Sequence, residues 1–150
     1  MPSSLRCVCD AHSALKAKEL APGLPAMACS DCDGRLLMLS DYRRWMDTLG
    51  EDKPLANHAS TPVAVRDEVG VRHCPSCARL MERLRVGQQP DFRLDRCSSC
   101  QSVWMDAGEW SALEHARLTT RLSEILSDRW QRQLRQEESR SRREAELRAR

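Results

Sequence analysis

The sequence is poor in the residues that build a large self-sufficient core. Of its 150 residues only one is Phe and one is Tyr, and 31% are charged. Mean hydropathy is −0.60, so an aromatic-rich core is not expected. No stretch approaches the eighteen or so consecutive apolar residues of a transmembrane helix. The opening MPSSLRCVCD holds no apolar run of signal-peptide length. The chain is therefore expected to be soluble and cytoplasmic, where a disulfide framework does not persist. Nothing near the acidic residues Asp106 and Glu109 resembles a nucleophile or an open metal position, so catalysis is not expected.

What the sequence has is cysteine. Eight stand in two groups of four: Cys7, Cys9, Cys29, Cys32, then Cys74, Cys77, Cys97, Cys100. A shift of 68 positions carries Cys9, Cys29 and Cys32 onto Cys77, Cys97 and Cys100, and nineteen residues separate the inner cysteines of both groups. That is an internal repeat. Two short knuckles facing one another across a hairpin-sized insert bring four thiolates to the corners of a tetrahedron, so the spacing predicts two structural Zn²⁺ sites per chain. A redox pair would instead need one Cys-x-x-Cys opening a helix in a βαβ setting. Units of roughly 40 residues usually need a metal, disulfides or a partner to offset chain entropy.

The first group leaves one ligand open. Cys7-Val8-Cys9 is one residue shorter than an ordinary knuckle, while Cys9 and His12 have the usual two-residue gap. Either Cys7 or His12 can complete that site, with ligand softness favouring four cysteines. His58, His73 and His115 lack partner spacing and are expected at the surface.

Charge changes with the metal. The formal net charge is +2, but four thiolates around one Zn²⁺ carry a net −2 per site, which brings the loaded protein to about −2. Basicity is local, with nine Arg against six acidic residues from Thr119 to Arg150.

Composition divides the chain into a first unit over 1–49, a linker over 50–72, a second unit over 73–116 and a helical arm over 117–150. Within the second unit a Gly-Gln-Gln-Pro turn joins two runs of strand length. Leu84, Val86, Phe92 and Leu94 alternate onto one face, and Arg83, Arg85, Arg93 and Asp95 onto the other. The polar face reads as solvated, or as a patch for phosphate or an acidic partner. Asp106 and Glu109 have capping-box spacing, which predicts a helix capped by Asp106. Trp104 and Trp110 flank that cap and are expected to shield the zinc sulfurs, with base stacking as the alternative.

CPSC, a nineteen-residue insert, CSSC and VWMDAGEW together resemble the transcription factor IIB-type zinc-ribbon domain of small bacterial proteins. The likeness covers about Arg72 to Leu113, with Cys74, Cys77, Cys97 and Cys100 at the ligand positions. Trp104, Met105, Asp106, Gly108 and Glu109 match the family's signature turn. Ser102 stands where that family commonly has Gly. The first unit looks like a diverged copy: Pro22 aligns with Pro90, Leu24 with Phe92, Asp41 with Glu109 and Tyr42 with Trp110. Its LSDYRRW tail predicts a helix with Ser40 as N-cap.

In the arm, Leu118, Leu122, Ile125, Leu126, Trp130 and Leu134 recur at three- and four-residue steps. No Pro or Gly interrupts from Glu109 to Arg150. The stripe is expected to fold back on the ribbons or to pair with a second chain. Beyond Arg135 the arm is expected to be a charge-laced helix or disordered. The sequence thus predicts a small α+β protein of two tandem zinc ribbons, each followed by a helix, plus a long C-terminal helix. The resemblance implies a non-catalytic zinc-binding interaction module, in transcription or another nucleic-acid process. The alternative is a protein-binding adaptor using the helix stripe and the ribbon edges.

Overall fold

A computed structural model describes residues 5–9, 12–50, 72–87 and 91–149. The expected linker lies outside these residues except at its two ends, and so do residues 88–90 of the Gly-Gln-Gln-Pro turn. The strands are β1 (Lys16–Ala17), β2 (Met27–Ala28), β3 (Arg35–Met38), β4 (Glu82–Arg85), β5 (Arg93–Cys97) and β6 (Ser102–Met105). They form one antiparallel sheet in the order β1-β2-β3-β6-β5-β4. Each cysteine repeat thus supplies three strands, and the halves join where β3 pairs with β6.

The register of that seam is informative. Leu36 lies opposite Trp104, and Trp104 is the counterpart of Leu36 under the 68-residue shift. When a residue faces its own counterpart across an antiparallel pair, a local two-fold axis passes between them, perpendicular to the sheet. Such an axis keeps like faces together. The halves differ in detail: Lys16 pairs with Ala28, whereas its counterpart Leu84 pairs with Leu94.

Strand alternation then sorts the side chains into two layers. Leu37, Leu84, Leu94, Val103 and Met105 join the core beneath the helices, together with Val86 and Phe92. Leu36 and Trp104, on the other face, join a second cluster that holds all eight cysteines. The hairpin alternation expected for Leu84, Val86, Phe92 and Leu94 is present, and all four are buried.

The helices are α1 (Leu39–Leu49), α2 (Glu109–His115), α3 (Leu122–Ile125) and α4 (Asp128–Arg148), with a 3-10 turn over Thr119–Arg121 before α3. Tyr42 packs on Trp45 within α1, and Trp45 meets Trp110 of α2, the two Trp rings edge to face at 6.3 Å. Three expectations about helix ends need correction. Ser40 does not cap α1, because the helix already starts at Leu39 after extended Met38. Asp106 does not cap α2; left-handed Gly108 precedes the helix and no side chain caps it. The arm is not one helix. Arg117 takes a left-handed φ of 61°, and Leu118 N–H bonds Leu113 C=O at 2.8 Å. This is a helix stop of the kind usually built on Gly, with Arg in the Gly position.

The arm folds back on its own chain. Leu122, Ile125 and Leu126 enter the helix-side core, each worth roughly 1.5 to 3 kcal/mol relative to exposure. Ser127 caps α4 by accepting from Trp130 N–H at 3.2 Å. The Gln131 side-chain amide accepts from Arg85 N–H at 3.2 Å and donates to Arg85 C=O at 2.9 Å. It behaves as one extra peptide unit on edge strand β4, and Trp130 Nε1 donates to Val86 C=O at 2.9 Å beside it. That edge is therefore closed to other strands. The stripe needs no second chain to cover it.

Tyr42 locks this docking. Its buried hydroxyl donates to Thr119 C=O at 2.6 Å and accepts from Leu122 N–H at 3.1 Å. Burial pushes its pKa up to about 12, so it works as a neutral donor. Tyr42→Phe strands both backbone groups and is expected to lower stability by about 1 to 3 kcal/mol. Denaturant titration checks this through a lower midpoint at unchanged slope.

Candidate metal centre

Each cysteine group closes on itself. The sulfurs of Cys7, Cys9, Cys29 and Cys32 lie within 4.8 Å of one another, as do those of Cys74, Cys77, Cys97 and Cys100. Across the first group Cys7 to Cys32 is 3.6 Å and Cys9 to Cys29 is 3.8 Å. Across the second, Cys77 to Cys97 is 3.5 Å and Cys74 to Cys100 is 4.0 Å. All eight are free thiols. Four sulfurs about 2.3 Å from one tetrahedral metal stand about 3.8 Å apart. The spacings fit that figure, and a four-sulfur donor set suits a soft or borderline dication such as zinc.

Local backbone explains how the knuckles aim. Amide N–H groups of Cys9, Cys32, Ser76 and Cys100 point at the sulfurs of Cys7, Cys29, Cys74 and Cys97, at 3.3 to 3.5 Å. Asp33, Ala78 and Gln101, each directly after a knuckle's second cysteine, take left-handed φ of 55° to 65°. That turn returns the chain to the sheet. In the short first knuckle the amide two residues on still reaches the first sulfur, as Ser76 does in the second half. One residue fewer therefore costs no donor. Exposed His12 stands outside the group, so four cysteines, Cys7 among them, form the first cluster.

The thiols resist ionising together. Burial pushes Cys7 up, and pushes Cys32 up to about 11. Hydrogen bonding from Cys77, then burial, pushes Cys100 up to about 12. At Cys29 burial also acts upward, but amide donors at Cys32 and Asp31 outweigh it and bring the thiol down to about 7. Four thiolates this close need a cation between them.

Trp104 packs with the cysteines and also touches a buried ionic chain. It is fully buried, and its Nε1 donates to Asp106 at 2.9 Å. The Arg72 guanidinium sits 4.9 Å from the indole ring and reaches Asp106 at 2.8 Å and Asp95 at 3.6 Å. Asp95 also faces Arg83 at 3.4 Å. This corrects in part the expected solvated face of the hairpin: Arg93 is exposed, but Asp95 is buried and holds Arg83. Arg85 pairs with Asp91 at 3.0 Å and with Glu138. Arg72, expected at the end of a linker, is the hub. Its role was invisible because its partners lie 23 and 34 positions away. Arg72→Lys offers neither a fork for two carboxylates nor a plane for the indole, and is expected to cost about 1.5 to 3 kcal/mol by thermal melting.

Of the expected sulfur shields, Trp104 is in the cysteine cluster. Trp110 is on the helix side, in the other core. Both are buried and present no face to a stacking base. Glu109 is fully buried, and His73 and His115 are exposed; His58 lies outside the described residues. Among the described residues no helix is long and apolar enough to cross a membrane. The chain matches no protein family, no curated protein and no solved structure, so the two candidate metal sites stand on their cysteine geometry alone.

Proposed function

We propose that the chain is a non-catalytic, zinc-dependent interaction module of the transcription factor IIB-type ribbon kind. The observation that carries this reading is the closure of both cysteine quartets at the spacing of a zinc tetrahedron. A four-cysteine site has no open coordination position for substrate or water, which marks structural rather than catalytic zinc. Zinc then fixes the sulfur-side layer, and the sheet and helices built on it present a surface to a partner. A partner-binding role for the helix stripe is less supported, since Leu122, Ile125, Leu126 and Leu134 are buried. The test compares zinc-loaded protein with Cys97→Ser in affinity capture, read by mass spectrometry and by nucleic-acid sequencing. Zinc-dependent capture of a defined partner supports the module. Turnover of a substrate dependent on either quartet, or capture indifferent to zinc, overturns it.

A further inference from the structure

Helix α4 is buried along one side only. Trp130, Gln131 and Leu134 face the sheet, and Leu134 is the last buried residue of the helix. At 3.6 residues per turn, Arg143 projects directly opposite Leu134. The same outer side holds Arg129, Arg132, Arg135 and Arg140, all exposed. Arg132, Arg135, Arg140 and Arg143 line one shallow hollow with Gln136 and Ser139. The acids within this span, Glu137 and Glu138, turn toward the buried side, where Glu138 meets Arg85.

These arginines differ from the others. Arg72, Arg83, Arg85 and Arg96 are each paired with a carboxylate. Among the described residues none of the five on the outer side of α4 is in an ion pair. Arg83, Arg85 and Arg96 of the hairpin are occupied by the fold, while the five on the outer side of α4 are available to another molecule.

We propose that this arginine face of α4 binds the phosphate backbone of duplex DNA. From Arg129 to Arg143 the helix rises about 21 Å, a length over which duplex DNA carries roughly twelve phosphate charges. A helix about 10 to 12 Å across fits the major groove of B-form DNA, about 12 Å wide. The deep, narrow major groove of A-form RNA does not admit it. Guanidinium forks suit phosphate oxygens, and Gln136 and Ser139 add neutral donors on the same face. An acidic protein is the weaker fit. Protein interfaces centre on buried aromatic or aliphatic anchors, and this face has none between Arg129 and Arg143.

The proposal names the partner of the interaction module and rests on that reading. Its test is fluorescence anisotropy of zinc-loaded full-length protein with a labelled DNA duplex of about 20 base pairs, from 50 to 200 mM salt. Five phosphate contacts give a log-log salt slope near −4.5. Changing Arg132, Arg135, Arg140 and Arg143 together to Gln keeps helix propensity and touches no core residue. That variant should retain zinc and melting temperature, bring the slope near −1 and weaken binding at least tenfold at 50 mM salt. Arg43→Gln with Arg44→Gln, on exposed α1 positions, should leave binding unchanged. Absence of DNA binding by wild type at 50 mM salt overturns the proposal. So does equal binding by the fourfold variant, an equal loss in the α1 variant, or tighter binding of an RNA duplex. A zinc-dependent fold that binds no DNA sinks this inference alone, whereas a fold indifferent to zinc sinks the module itself.

Discussion

Strong chelation of the zinc-loaded protein should unfold both halves together. A structural zinc site contributes on the order of 10 to 16 kcal/mol of apparent folding free energy near neutral pH, more than the net stability of most domains. Because all eight cysteines, four buried and four half-buried, pack in one cluster with Leu36 and Trp104, loss of either metal should reach the other site. Metal analysis should return two Zn²⁺ per chain, and Cys97→Ser should drop that figure below one full equivalent rather than to a clean one. Cys7→Ser should empty the first site, since His12 stands outside the cluster. Loading should also release protons. With Cys7 pushed up, Cys32 near 11 and Cys29 near 7, protons must leave before the metal can bind, so first-site affinity falls as pH is lowered. A chelated protein that keeps its circular dichroism would contradict the whole scheme.

Gly34→Ala should be among the most damaging single-methyl changes available. A Cβ at Gly34 would lie 2.1 Å from Trp104 Cζ2, with two more ring atoms inside 3 Å. The indole cannot yield, because Asp106 holds its nitrogen and Arg72 covers its ring. The expected cost exceeds about 3 kcal/mol, beyond the usual range for overpacking, and a melting curve measures it. Pairing the change with Trp104→Leu should recover part of the loss, a positive coupling in a double-mutant cycle. Full additivity of the two changes would refute the packing argument.

Gly34 also shows what the sequence made legible. It occupies, in the first half, the position that Ser102 holds in the second, two residues after the fourth cysteine. Ser102 is fully buried, its hydroxyl 3.9 Å from the Cys74 sulfur. The cysteine repeat, the hairpin of β4 and β5 and the fold-back stripe could all be read, because spacing and alternation are local signals. The seam could not, because pairing of β3 with β6 joins residues about 68 apart and leaves no periodic trace. Asp106 misled because its spacing to Glu109 is that of a capping box, while its carboxylate is drawn to Arg72 and Trp104. The break before Leu118 was hidden because Arg117 adopts a backbone conformation that composition assigns to Gly. The arginines of the hairpin and of α4 look alike in sequence. What separates them is the folded pairing, which sets Asp95, Asp91 and Glu82 against the hairpin arginines.

The two-fold seam has a consequence for how the halves could diverge. Two identical subunits meeting in this register would set each residue at the axis against itself, so an indole would confront an indole. Here Leu36 stands opposite Trp104, and Gly34 makes room for the ring on one side only. Such a large-against-small match requires two different sequences at one interface, which a single covalent chain provides at fixed one-to-one stoichiometry and without dilution. Concentration then has no hold on the seam, and a lone C-terminal helix can be attached to one half without a second copy opposite it.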